Sequence, residues 1–167
     1  MSNSNAGDAY GRLIDDQLNQ ERQRKISFEN RGVTVINTSS ALATLLFALT
    51  ASLTLAAKFQ LPESAKLPLI LALGAFVFSA ILGLAVNMPM IYGAPAPEGL
   101  EKLCTAEYWE APATIGQLRL AGAQIDELTA SLEANKFKAR FLVAAIVCEI
   151  LATGFLAWAI GIIIYNG

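Results

Sequence analysis

The chain has 167 residues, of which 54% are hydrophobic and only 16% charged, with a formal net charge of −2, no histidine and two cysteines. A mean hydropathy of +0.48, with the apolar residues gathered in blocks, excludes an ordinary soluble domain. Without histidine the serine and cysteine candidates lack a usual base, and two separated cysteines make no transition-metal site, so no catalytic residue, metal or cofactor is expected.

A helix crossing a hydrocarbon core of roughly 30 Å needs about 20 mostly apolar residues. Three blocks qualify, at residues 33–59, 67–92 and 141–165. Before them, residues 1–32 form a polar segment with neither the position nor the length of a cleavable signal peptide. Its residues 12–31 carry mixed charges at helical spacing beside Leu13, Ile14, Leu18, Ile26 and Phe28, which predicts a cytoplasmic helix running up to the membrane. Gly32 is expected to relax the junction.

The first span, 33–59, carries Asn37, Thr38, Ser39, Ser40, Thr44, Thr50, Ser52 and Thr54, more polar groups than packing requires. Asn37, Ser40 and Thr44 fall on one helical face. In lipid such a face is tolerated only against protein or water. A row spaced by four, Ser40, Thr44, Ala48, Ser52 and Ala56, also reads as close helix packing.

The connection LPESAKLP is short, so the first two spans form an antiparallel hairpin covering 33–92. In the second span the corresponding row is Ala75, Ser79, Gly83 and Asn87, and Pro89 kinks or ends the helix. Residues 93–140 form a loop with a proline- and glycine-rich start and a short amphipathic piece bearing Tyr108 and Trp109. From about Thr114 the pattern turns helical, with Leu118, Ile125, Leu128 and Leu132 near heptad spacing. No breaker lies between Ala123 and Tyr165, which predicts one helix running from the loop into the third span, within 141–167.

That span holds Ala145, Glu149, Thr153, Ala157 and Gly161 at fourfold spacing. Glu149 lies about 12 Å along the axis from Phe141, where a charged carboxylate costs roughly 2.5–3.5 kcal/mol by insertion scales. No Lys or Arg sits at that depth. Two readings stay open: a protonated acid bonded to Asn87 or Ser79, or a wet carboxylate in a pore or at an ion or proton site.

Arg12, Arg22, Arg24, Lys25 and Arg31 precede the first span, and Lys102, Arg119, Lys136, Lys138 and Arg140 precede the third; only Lys58 and Lys66 border the 60–66 connection. This bias puts the N-terminus and the long loop in the cytoplasm and the C-terminus outside. Cys104 and Cys148 are then held apart, and no disulfide is expected. Three helices enclose almost no interior, so burying three polar rows calls for a homo-oligomer, and a ring of Glu149 would favour cations. The clusters Arg22, Arg24, Lys25, Arg31 and Lys136, Lys138, Arg140 set topology and attract membrane lipid, or else hold a polyanion such as a nucleotide.

The arrangement ERQRKISFENRG before a Ser/Thr-rich span, VNMP and Tyr92 closing the second span, a Trp-containing loop, and EANKFKARFLVAAIVCEI entering the third resembles small transmembrane effectors of bacterial nucleotide-signalling antiphage systems. It is similar to those of CBASS and Pycsar and, most closely in architecture, of the Hailong system. The resemblance implies an oligomeric inner-membrane channel or pore, a tetramer, that dissipates the membrane potential. It also implies control by DNA oligomers made by a partner nucleotidyltransferase, held by the two basic clusters.

The sequence thus predicts an all-α membrane protein with three transmembrane helices and cytoplasmic helices in a homo-oligomeric bundle. Its expected pore or gate residues are Glu149, Thr153, Asn37, Ser40, Thr44 and Asn87. The alternatives are a proton-coupled small transporter using Glu149 and a non-conducting membrane scaffold.

Overall fold

The computed structural model describes residues 6–55, 61–90 and 112–166. Their regular structure is entirely α-helical: α1 (Ala6–Leu55), α2 (Glu63–Val86) and α3 (Ala113–Asn166). Each is long and apolar enough to cross a membrane, and α1 has the least apolar spanning window of the three. The described residues are therefore all-helical outside short turns, and the three apolar helices are compatible with a multi-pass membrane chain. The expected end of the second span at Tyr92, and the piece bearing Tyr108 and Trp109, lie outside the described residues.

The helix ends follow local chemistry. Asp8 sits in the first turn of α1, where a carboxylate complements the helix dipole. Pro62 precedes α2, and Glu63 occupies its first turn. Pro68 lies inside α2 with its ring buried, removing one backbone donor. The helix closes with Asn87 N–H on the Leu84 carbonyl at 3.0 Å and Met88 N–H on that of Ala85 at 3.3 Å. Pro89 follows, and the residue before a proline is pushed out of helical geometry. Helix α3 starts after Pro112, whose carbonyl accepts from Ile115 N–H at 2.9 Å.

The chain divides into two compact units, one of Met1–Ser27 and Pro89–Phe137, the other of Phe28–Met88 and Lys138–Gly167. In the first, the polar unit, α1 and α3 run parallel. Gln117 Nε2 donates to Asp8 Oδ1 at 3.3 Å and Gln124 Nε2 to Asp15 Oδ1 at 2.6 Å, each pair 109 residues apart, one heptad further along both helices. The buried or half-buried positions of α1 here are Asp8, Gly11, Ile14, Leu18, Glu21 and Lys25, three or four apart; those of α3 include Ala121, Gln124, Leu128, Ser131 and Asn135. This seam is polar. Asn135 Nδ2 donates to the Glu21 backbone oxygen and to Glu21 Oε2, both at 2.9 Å, and Arg24 holds Glu21 Oε1 at 2.7 Å.

The heptad spacing of Leu118, Ile125 and Leu132 is present, but that row is exposed rather than buried, at 75%, 49% and 36%. The row facing α1 lies one residue earlier, on Gln124 and Ser131.

In the apolar unit the inward row of α1 is Phe28, Gly32, Val35, Ser39, Leu42 and Leu46, again three and four apart. One core cluster joins Val35, Val86, Leu142 and Ala145, and a second joins Leu46, Leu69 and Ala159. Helix α1 passes through Gly32 unbroken, and the absent side chain serves packing rather than bending. A Cβ on Gly83 would stand 2.9 Å from Ile36 Cγ1 and 3.1 Å from the Gly32 carbonyl oxygen, so α1 and α2 touch backbone to backbone. Small residues allow such approach where lipid supplies no hydrophobic drive.

Candidate functional site

Three hydroxyl and carboxyl contacts sit inside the apolar unit. Ser39 Oγ donates to Ser79 Oγ at 3.2 Å, and Ser79 Oγ to the Ala145 carbonyl at 2.8 Å, so one buried chain ties all three helices. Thr38, beside Ser39, has its Oγ1 2.5 Å from Glu149 Oε1, closer than to the Thr34 carbonyl at 3.0 Å or that of Val35 at 3.2 Å, so its one proton goes to the carboxylate. Glu149 is half-buried and belongs to the inward row of α3, with Lys138, Leu142, Ala145, Ala152, Leu156 and Ala159. The acid's partner is therefore Thr38, not Asn87 or Ser79. Ser79 is committed to Ser39 and Ala145, and Asn87 Nδ2 donates to the Gly83 carbonyl at 3.1 Å. Thr153 Oγ1 returns its proton to the Glu149 carbonyl at 2.9 Å and lies exposed.

Asn37, Ser40 and Thr44 lie elsewhere on α1. The face turned away from the bundle reads Asn30, Thr34, Asn37, Ala41, Thr44, Ala48 and Ala51, alternately four and three apart, and every one is exposed, as are the adjoining Ser40 and Ser52. Of the large apolar side chains of α1, the exposed Val33 falls within this face near its start, and Leu45 and Phe47 border it on either side. Thr34 donates to the Asn30 carbonyl at 3.0 Å, Thr44 to that of Ser40 at 2.8 Å and Ser52 to that of Ala48 at 2.8 Å, so these hydroxyls satisfy their protons within the helix and present oxygen lone pairs outward. The other helices contrast with it: α2 exposes Leu67, Ile70, Val77, Phe78 and Ile81, and α3 exposes Val143, Val147, Ile150, Leu151 and Trp158. Of the six expected pore residues, the structure gathers Asn37, Ser40 and Thr44 on one surface. It puts Glu149 in the helix seam with Thr153 just beyond it, and gives Asn87 to the Gly32 crossing, where a Cβ on Gly32 would come within 2.7 Å of Asn87 Nδ2.

The basic residues are divided as well. Within the polar unit Arg22 Nη2 donates to Glu127 Oε1 at 2.8 Å, and Arg24 is taken by Glu21. Within the apolar unit Lys138 is wholly buried, with its ammonium 2.5 Å from Glu29 Oε1. Lys25 is half-buried in the seam row. Arg31 and Arg140 in the apolar unit, and Lys136 in the polar unit, are exposed and meet no carboxylate among the described residues. No cluster of three His, Cys, Asp or Glu able to hold a metal occurs among those residues.

Sequence reading missed Thr38, Glu29 and Glu21 as partners. The available signal was the alternating four-and-three row Gln124, Leu128, Ser131, Asn135, Lys138, Leu142, Ala145 and Glu149 on α3, which puts five polar residues on one heptad seam. The chain matches no protein family, no curated protein and no solved structure.

Proposed function

We propose that the chain assembles into a homo-oligomeric gated ion channel or pore of the bacterial inner membrane, serving as an antiphage effector under control of a nucleotide or oligonucleotide signal. The observation that carries the reading is the outward face of α1: between Asn30 and Ser52 it exposes amides, hydroxyls and alanines, with Val33 among them and Leu45 and Phe47 at its borders, along a helix long enough to cross a membrane. Against lipid that face is costly, and against water or other copies it is not. Around a pore, its uncharged oxygens would line the pathway. The defence setting comes from the sequence resemblance alone. In this reading the N-terminus is cytoplasmic, and of the two basic clusters Arg31 and Arg140 in the apolar unit, and separately Lys136 in the polar unit, keep exposed side chains for an anion. Glu149 acts through the α1–α3 seam, as part of the gate.

The test is current through planar bilayers in asymmetric salt. Stepwise currents are expected, with Asn37→Asp moving the reversal potential towards cations and Asn37→Lys towards anions. Identical reversal potentials in both variants would take the α1 face off the pathway. Efflux driven by a proton gradient and lost in Glu149→Gln would favour the transporter. Silence with assembly confirmed, and with nucleotides and DNA oligomers tried, would favour the scaffold.

A further inference from the structure

At the hairpin end of the apolar unit, a groove of about 270 Å³ opens between α1 and α2. Leu46 and Phe47 of α1, Leu61 of the connection, and Leu69, Ile70 and Leu73 of α2 form its walls; Thr50 and Lys66 are its polar side chains. Space of that size would hold roughly nine waters at about 30 Å³ each, and each water needs two to four polar partners. The groove offers far fewer. Thr50 has already given its proton to the Leu46 carbonyl at 2.8 Å, and among the described residues Lys66, which borders the groove chiefly through its alkyl stem, is the one charged side chain of its lining. A hydrocarbon occupant is favoured, with an anion at one end.

Lys66 lies one turn into α2, beside Glu63 and Ser64, where the apolar run of the helix begins. Its ammonium stands 2.5 Å from Glu63 Oε1, but both side chains are largely exposed, at 49% and 87%. Such a pair contributes little, and an ammonium has three donors, so a phosphate can join or replace the carboxylate. We propose that this groove is a binding site for an anionic phospholipid, with one acyl chain along the Leu69–Leu73 wall and the phosphate on Lys66. Charge complementarity at Lys66 and the near absence of other polar partners argue for lipid over a second copy of the chain. The site does not depend on conduction.

The test is native mass spectrometry of the delipidated full chain titrated with phosphatidylglycerol, and separately with diacylglycerol of the same acyl chains. Lys66 and Ile70 are exposed, so Lys66→Gln and Ile70→Trp leave the core intact. One phosphatidylglycerol retained per chain is expected, with retention about tenfold weaker for diacylglycerol and for Lys66→Gln, and lost when Ile70→Trp fills the groove. Equal retention of the two lipids, or retention unchanged in either variant, would overturn the proposal. So would efficient crosslinking between copies through Phe47→Cys, with Cys104 and Cys148 replaced by Ser, because a second copy would then occupy the groove.

Discussion

Thr38 of α1 hydrogen-bonds to Glu149 of α3, Oγ1 to Oε1 at 2.5 Å, and this contact places the carboxylate in a helix seam. Removing the donor with Thr38→Val, or the acid with Glu149→Leu, is expected to weaken α1–α3 packing. A double-mutant cycle should give a coupling of roughly 0.6–1.7 kcal/mol, the range for hydrogen bonds between membrane helices. Glu149→Gln keeps an acceptor for Thr38 and should change opening probability in bilayers while leaving the reversal potential alone. Loss of cation preference in Glu149→Gln with unchanged gating would instead put the carboxylate on the ion pathway.

The Gly32–Gly83 crossing sets a steric limit. Gly83→Leu must push Ile36 or the Gly32 backbone aside, at a cost of about 1–3 kcal/mol. Gly32→Ala meets first the end of the Asn87 side chain, which can turn away, so Asn87→Ala should recover most of its smaller loss. Gly74→Ala meets nothing within 4 Å and should be neutral or stabilising by up to about 1 kcal/mol. Thermal unfolding in detergent ranks the three, and a Gly83→Leu protein as stable as its parent would remove the close crossing.

Lys138 is fully buried against Glu29. Glu29→Leu strands the ammonium and should destabilise the apolar unit by about 3–5 kcal/mol, whereas the pair Glu29→Leu with Lys138→Met should come close to the parent. The double variant proving worse than Glu29→Leu alone would mean that Lys138 has a further essential partner.

Parallel pairing in the polar unit predicts proximity at heptad steps. With Cys104 and Cys148 changed to Ser, Asp15→Cys with Gln124→Cys should link within one chain through a short bis-maleimide reagent. Asp15→Cys with Gln117→Cys, one heptad out of step, should link far less. Equal yields would mean that the helices slide past one another.

The buried serine chain invites a smaller test. Ser79→Ala removes the donor to Ala145 and the acceptor for Ser39, for an expected loss of about 1 kcal/mol. Ser39→Ala should add little on top of it, and full additivity would show that the two hydroxyls act separately.

The sequence by itself determined three apolar blocks, the uninterrupted helix from the loop into the third span, and the small and polar residues at helical spacing. Block length, hydropathy and the absence of breakers are properties of a single chain segment, so these were legible. Tertiary structure alone decided which row faces inward. On α3 the apolar Leu118, Ile125 and Leu132 lie outside while Gln124, Ser131 and Asn135 face α1; on α1 Ser39 is buried while Asn37, Ser40 and Thr44 are exposed. Periodicity fixes rows but not their partners, because in a membrane both a bare glycine contact and a bonded hydroxyl pack helices well. Glu149 shows the same limit: its place within the third apolar block follows from counting residues along the helix, but its partner had to come from whichever face of α1 lies opposite, and that face carries Thr38.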